Sequence, residues 1–304
     1  MNKSVVISLF FILNFSCKNK GVETIEKTKF QEIAHVDYVL NKPVETIKGV
    51  LVLFGGYPEK AEDIKREFSI INKAKVHNIA VLYMNYNRTI WLTIKEKQDL
   101  SAQLQKIFTE NKLPTNNIYI GGFSSGGNVA LLISDFLAEQ KSKLNPQGVF
   151  IVDSPVDLVA LYETAEKNII RNISEPAVLE STWILETFNK AFGNPDQAIS
   201  KYEASAIFTS RTNNRRNIKH LAETKIRLYT EPDTLWWKTN KGAEYDEMNA
   251  FYIKKLSESL KDSGFKSVEY ISTENKGYRS NGERHPHSWA IVDKAGLVNW
   301  MLDK

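Results

Sequence analysis

Ten residues constrain the fold of this chain more than any others: Ile118-Tyr119-Ile120-Gly121-Gly122-Phe123-Ser124-Ser125-Gly126-Gly127. The run from Asn117 to Ile120 reads as a strand, and Asn128-Val129-Ala130-Leu131-Leu132-Ile133 as the start of a helix. Between them Gly122, Ser124 and Gly126 fill the three fixed places of G-x-S-x-G. A serine pressed into so tight a strand-to-helix turn needs small neighbours, because a Cβ at either glycine would crowd it. The turn lifts the Ser124 hydroxyl above the sheet, and the helix N-terminus beneath it favours developing negative charge. By itself the pattern also fits a plain glycine-rich βα turn. Its place between a buried strand and an apolar helix points to a nucleophile. A phosphate loop is excluded, since Gly127 or Asn128 stands where its lysine belongs, and no G-x-G-x-x-G occurs in 121–127.

Elsewhere, strands and helices are expected to alternate. Phe30 to Leu40 reads as an early strand ending in the turn Asn41-Lys42-Pro43, and Ile47 to Phe54 as a strand covered on both faces, running into Gly55-Gly56-Tyr57. Glu59 to Ala74 has helical spacing, Ile79 to Met84 is a strand, and Thr93 to Phe108 an amphipathic helix. Further strands are expected at Gly148–Val152, Ile226–Tyr229 and Val268–Ile271, with helices over Met248–Leu260 and Ala290–Leu302. This rhythm means an α/β chain with a mostly parallel sheet and helices on both faces. Residues 157–222 carry no strand-like run and read as a helical insertion packed over the sheet's carboxyl edge, a lid. Its basic stretch (Arg211, Arg215, Arg216, Lys219) reads as a solvated loop rather than an anion site.

The chain begins with a basic Lys3, an apolar run from Val5 to Leu13 too short to span a bilayer at about 20 residues, and then Phe15-Ser16-Cys17. This resembles a bacterial lipoprotein signal. The resemblance implies a signal peptide over 1–16, lipidation of Cys17, a tether over 17–29 leading to a folded domain over 30–304, and a mature protein held to a membrane of the cell envelope. Cys17 is the single cysteine, so no disulfide closes within the chain. A net charge of +4 with one short basic loop gives no basic, aromatic-laced stripe, and nucleic acid is not an expected partner.

The strand–Ser124 turn–helix, the glycines after an earlier strand, and a late acid and histidine together resemble the α/β-hydrolase family over about 30–304. Members carry nucleophile, acid and histidine in that chain order. His35 and His77 precede Ser124, and His220 lies in the insertion, which leaves His285 and His287. His287 is favoured because His-Ser-Trp opens the closing helix, where the resemblance puts the histidine; His285 is the alternative. A chelating His-x-His has no supporting cluster of Cys, His or Asp, so no metal is expected. The acid is expected past the strand at 226–230, as Asp233 with Glu231 as alternative; Asp153 and Asp157, after the preceding strand, rank third. The oxyanion donors are expected to be the Ser125 N–H and an N–H of Tyr57 or Gly56. Tyr57, Tyr86, Trp91, Trp236 and Trp237 could line a pocket or simply pack the core.

The resemblance implies a serine carboxylic-ester hydrolase working through an acyl-enzyme, without cofactor, on small or carbohydrate-linked esters. A serine peptidase of the same fold, or an inactive surface-binding lipoprotein, are the alternatives. The sequence leaves the oligomeric state open.

Overall fold

A computed structural model of the chain describes residues 29–86 and 89–303. The expected signal over 1–16 and Cys17 lie outside the described residues. Within them no helix is long and apolar enough to cross a membrane.

One eight-stranded sheet organises the chain: β1 (Phe30–His35), β2 (Tyr38–Pro43), β3 (Gly49–Phe54), β4 (Ile79–Met84), β5 (Ile118–Phe123), β6 (Gly148–Val152), β7 (Lys225–Thr230) and β8 (Val268–Ser272). Their spatial order is β1-β2-β4-β3-β5-β6-β7-β8. β2 runs antiparallel to both its neighbours, and every pairing from β4 to β8 is parallel. The long early strand expected over 30–40 is instead a hairpin. Val36-Asp37 forms a two-residue turn, and His35 pairs with Tyr38.

Strands β3, β4, β5 and β6 are buried along their whole length, as the continuous apolar runs require of strands covered on two faces. Alternate residues serve opposite cores. Val50, Val52, Ile118, Ile120, Val149 and Ile151 face α3 (Ile94–Glu110), α4 (Ser125–Glu139) and α9 (Asn249–Asp262). Leu51, Leu53, Val81, Tyr119, Phe150 and Val152 face α1 (Ala61–Phe68), α2 (Ile71–Val76) and α10 (Lys294–Leu302). The single helix expected over 59–74 is two, because Ser69 ends α1 in the left-handed region at φ 43°.

The segment between β6 and β7 holds α5 (Leu158–Arg171), α6 (Glu175–Ala191) and α7 (Pro195–Glu203), with a 3-10 turn at Arg216–Leu221. It has its own core, in which Tyr162, Phe188, Phe192 and Tyr202 pack together and Trp91 joins from the main domain. Its basic stretch is largely exposed, as expected of a solvated loop, and its arginines also make surface bonds to their neighbours. Arg211 pairs with Glu163 and Asp196, Arg215 donates to Ser259, and Arg216 donates to the carbonyls of Ser200 and Glu203. After β7 comes a helix that the sequence pattern did not indicate, α8 (Thr234–Lys241), and it changes the fate of the residues at the end of that strand.

Candidate active site

β5 delivers Ser124 into the turn at φ 53°, ψ −130°, a left-handed backbone that a non-glycine residue holds only when its surroundings fix it. The glycines explain how. A Cβ at Gly122 would lie 2.1 Å from the Gly126 carbonyl oxygen, and one at Gly126 would lie 2.4 Å from the carbonyl oxygens of Phe54 and Gly55. Helix α4 starts at Ser125, three residues earlier than the apolar pattern suggests, so Ser124 sits directly at its N-terminus. There the Ser125 N–H belongs to the first-turn amides that have no partner inside the helix.

His287 follows on the loop before α10. Its Nδ1 lies 2.6 Å from Asp153 Oδ2, with Asp153 only 4 % exposed. Asp153 is the first residue past β6. Its N–H donates to the Tyr229 carbonyl, its backbone stands at φ 46°, its second carboxylate oxygen accepts from the Thr230 hydroxyl at 2.9 Å, and its carbonyl accepts from Asn249. The carboxylate is thus fixed on both sides, with one oxygen aimed at the imidazole. The Phe123 ring, next to the nucleophile, lies 4.4 Å from the His287 ring and joins the serine turn to the histidine loop. Among the described residues the Ser124 hydroxyl makes no hydrogen bond to that ring; in hydrolytic sites this bond often tightens only in the Michaelis complex.

Asp233, expected to hold His287, does not reach it. Its Oδ1 accepts from the Trp236 N–H and caps α8, and its Oδ2 pairs with Arg284 at 2.6 Å. Glu231, the alternative, is 2 % exposed and equally occupied. It accepts from Thr273 Oγ1 and from the N–H groups of Lys276 and Gly277, and pairs with Arg284 at 2.7 Å. Asp157 caps α5 through the N–H groups of Val159 and Ala160, and also accepts from Ser210 N. The clue in the sequence was Arg284, which sits three residues before His287 and draws off the acids of β7.

His285 is not placed to replace His287. Its ring packs at 4.7 Å from Trp236 and 6.2 Å from Trp237, its Nδ1 is buried without a partner, and burial pushes its pKa down to about 3. Among the described residues no group of three or more His, Cys, Asp and Glu side chains is arranged to hold a metal ion.

The loop after β3 meets Ser124 from the other side. A Cβ at Gly56 would fall 2.8 Å from Ser124 Cβ, so only glycine lets the loop approach. The Gly56 N–H, one of two expected oxyanion donors, is taken by Glu59 Oε2 at 3.0 Å. The Tyr57 N–H points instead at the nucleophile turn, donating to Ser125 Oγ at 3.1 Å. Above this loop the Tyr57 ring stacks on Trp183 of α6 at 5.3 Å and 8°, which brings the helical segment over the Gly55-Gly56-Tyr57 loop. Of the other expected pocket aromatics, Trp91 packs on Phe188 and Phe192, and Tyr86 lies edge-on to Phe54.

No family model matches the sequence, and no curated protein matches it. Solved structures do resemble the fold. An esterase study from Rhizomucor miehei matches with a TM-score of 0.56 at 12 % identity, over 90 % of this chain and 82 % of that one. A carboxyl esterase 2 from Tuber melanosporum matches at 0.51 and 15 % identity, over 90 % and 84 %. An S-formylglutathione hydrolase from Staphylococcus aureus matches at 0.51 and 12 % identity, over 91 % and 99 %. With the strand order above, these likenesses establish that the chain has the α/β-hydrolase fold.

Proposed function

We propose that this protein is a serine hydrolase that cleaves carboxylic esters through an acyl-enzyme. The observation that carries the reading is the buried 2.6 Å contact of Asp153 with His287 Nδ1, beside a serine held in a strained turn at a helix N-terminus. Asp153 accepts from Nδ1–H, which leaves Nε2 unprotonated and able to take the Ser124 proton. Ser124 Oγ then adds to the ester carbonyl. The resulting oxyanion takes the amides of Ser125 and Tyr57, replacing Ser125 Oγ as acceptor for the second. Protonated His287 gives its proton to the leaving alcohol, and the same imidazole then activates water to release the acid and regenerate Ser124. Small acyl groups suit a site roofed by Trp183 over Tyr57. Carbohydrate-linked esters fit an exported enzyme, and the sequence around Cys17 supports a lipid anchor, which a Cys17→Ala variant shed from the membrane fraction would test.

Hydrolysis of p-nitrophenyl acetate, butyrate and octanoate, together with labelling by a fluorophosphonate probe, tests the reading. Turnover and labelling are both expected, with preference for the shorter chains, and both should vanish in Ser124→Ala without loss of fold. A wild-type protein that neither turns over any ester nor labels would make the chain a binding protein instead.

A further inference from the structure

Glu59 is a carboxylate that the reaction just described does not use, yet it contacts both loops that the reaction needs. Its Oε2 accepts from the Gly56 N–H at 3.0 Å and from Trp289 Nε1–H at 3.1 Å. Trp289 lies two residues past His287 and is itself buried, stacked on Phe68 at 4.6 Å. One oxygen therefore ties the glycine loop after β3 to the segment that carries the histidine. A main-chain contact at the same residue, independent of the carboxylate, orients the Tyr57 peptide in the loop that the carboxylate holds. The Glu59 N–H donates to the Gly56 carbonyl at 2.6 Å. That carbonyl and the Tyr57 N–H belong to one peptide group, whose planarity makes them point in opposite directions. Pinning the carbonyl toward Glu59 therefore aims the Tyr57 N–H at the nucleophile turn, where it is found. Gly55 completes the arrangement, since a Cβ there would lie 2.8 Å from Glu59 Cβ.

We infer that Glu59 is a positioning residue whose carboxylate, through the Gly56 N–H and Trp289 Nε1–H, holds the loop that carries the Tyr57 amide in register with the His287 loop. The inference rests on the proposed hydrolase reading. A buried carboxylate suits the task because an ionised acceptor makes shorter and stronger bonds to N–H donors than a neutral one. Burial raises the Glu59 carboxyl above its ordinary range, and the bonds from Trp289 and Gly56 oppose that rise in part.

The test is a cycle of Glu59→Gln, Trp289→Phe and the double variant, with kcat and KM measured on p-nitrophenyl butyrate and thermal melts in parallel. Loss of one oxyanion donor lowers rates by about a hundredfold to a thousandfold. A misaimed donor should cost part of that, about tenfold to a hundredfold in kcat, with KM little changed because ground-state binding is untouched. The double variant should be no slower than Glu59→Gln, since both remove one link. Independent, multiplying losses, an unchanged kcat beside a lowered melting temperature, or a parallel rise in KM would overturn the proposal. Should Glu59→Gln fail to fold, Trp289→Phe alone reads the kcat and KM split. Wild-type activity with intact kcat in the variants overturns only this inference; a wild type that neither turns over nor labels overturns the hydrolase reading and this with it.

Discussion

Two neighbouring strands end in buried carboxylates that do different work. At the end of β6, Asp153 gives one oxygen to His287 and the other to the Thr230 hydroxyl. At the end of β7, Glu231 takes Arg284, Thr273 and two backbone amides, all in the stretch that leads to the histidine. The first acid meets an imidazole that changes protonation in the proposed reaction; the second meets a guanidinium that keeps its charge throughout. The difference lies in the partner rather than in burial, which is nearly the same at the two sites. The β7 acids act as a clamp: Arg284 joins Glu231 to Asp233 and also donates to the Gly277 carbonyl, closing the base of the histidine loop.

The contrast breaks most sharply at Asp153. Asp153→Asn keeps the shape but presents an amide to Nδ1, which favours the wrong imidazole tautomer, and kcat on p-nitrophenyl butyrate should fall by about 10³–10⁴. Asp233→Asn, tested beside it, should leave kcat within a few fold, because Asp233 serves Arg284 and the start of α8. Equal losses in the two variants would erase the distinction between the strand ends.

Glu231→Gln sharpens it in the other direction. It leaves the Arg284 guanidinium with Asp233 alone as counter-ion, so the loss of stability should be real but smaller than the roughly 3–5 kcal/mol of a buried charge left uncompensated. The loss should show in urea unfolding as a lower midpoint with an unchanged slope, while kcat falls far less than in Asp153→Asn. A variant that is stable but catalytically dead would return Glu231 to the reaction.

The same contrast marks how far the sequence could be read. The sheet, the serine turn and the place of His287 on the loop before the last helix were legible because each is a local pattern: an apolar run, three glycine and serine positions, a histidine at the mouth of the last helix. The carboxylate that meets His287 was not legible, because it depends on which strand end the histidine loop reaches in space. Each strand end offers two acids, Asp153 and Asp157 past β6 and Glu231 and Asp233 past β7, and the contacts that occupy the second pair run from Arg284 across 51 and 53 positions of sequence. The Val36-Asp37 hairpin turn and the break at Ser69 were hidden for a simpler reason, since neither carries a glycine or proline.

The smallest expected effect concerns the other histidine of the loop, which sits on the β7 side of the comparison, between Trp236 and Trp237. Burial lowers the His285 pKa from its ordinary 6.5 to about 3, with the nearby charges of Arg279 and His287 adding to the fall. Between those two values the unfolded chain binds a proton that the folded chain does not. Stability is therefore complete above about pH 6.5 and declines as the pH falls toward 3, by at most about 1.4 kcal/mol per pH unit. His285→Asn removes that titration. Urea midpoints measured from pH 7 to pH 4 should fall less steeply for the variant than for the wild type, while ester turnover at pH 7 stays close to normal. If turnover were lost and the acid slope kept, His285 rather than His287 would be the base, and the contact with Asp153 would need another explanation.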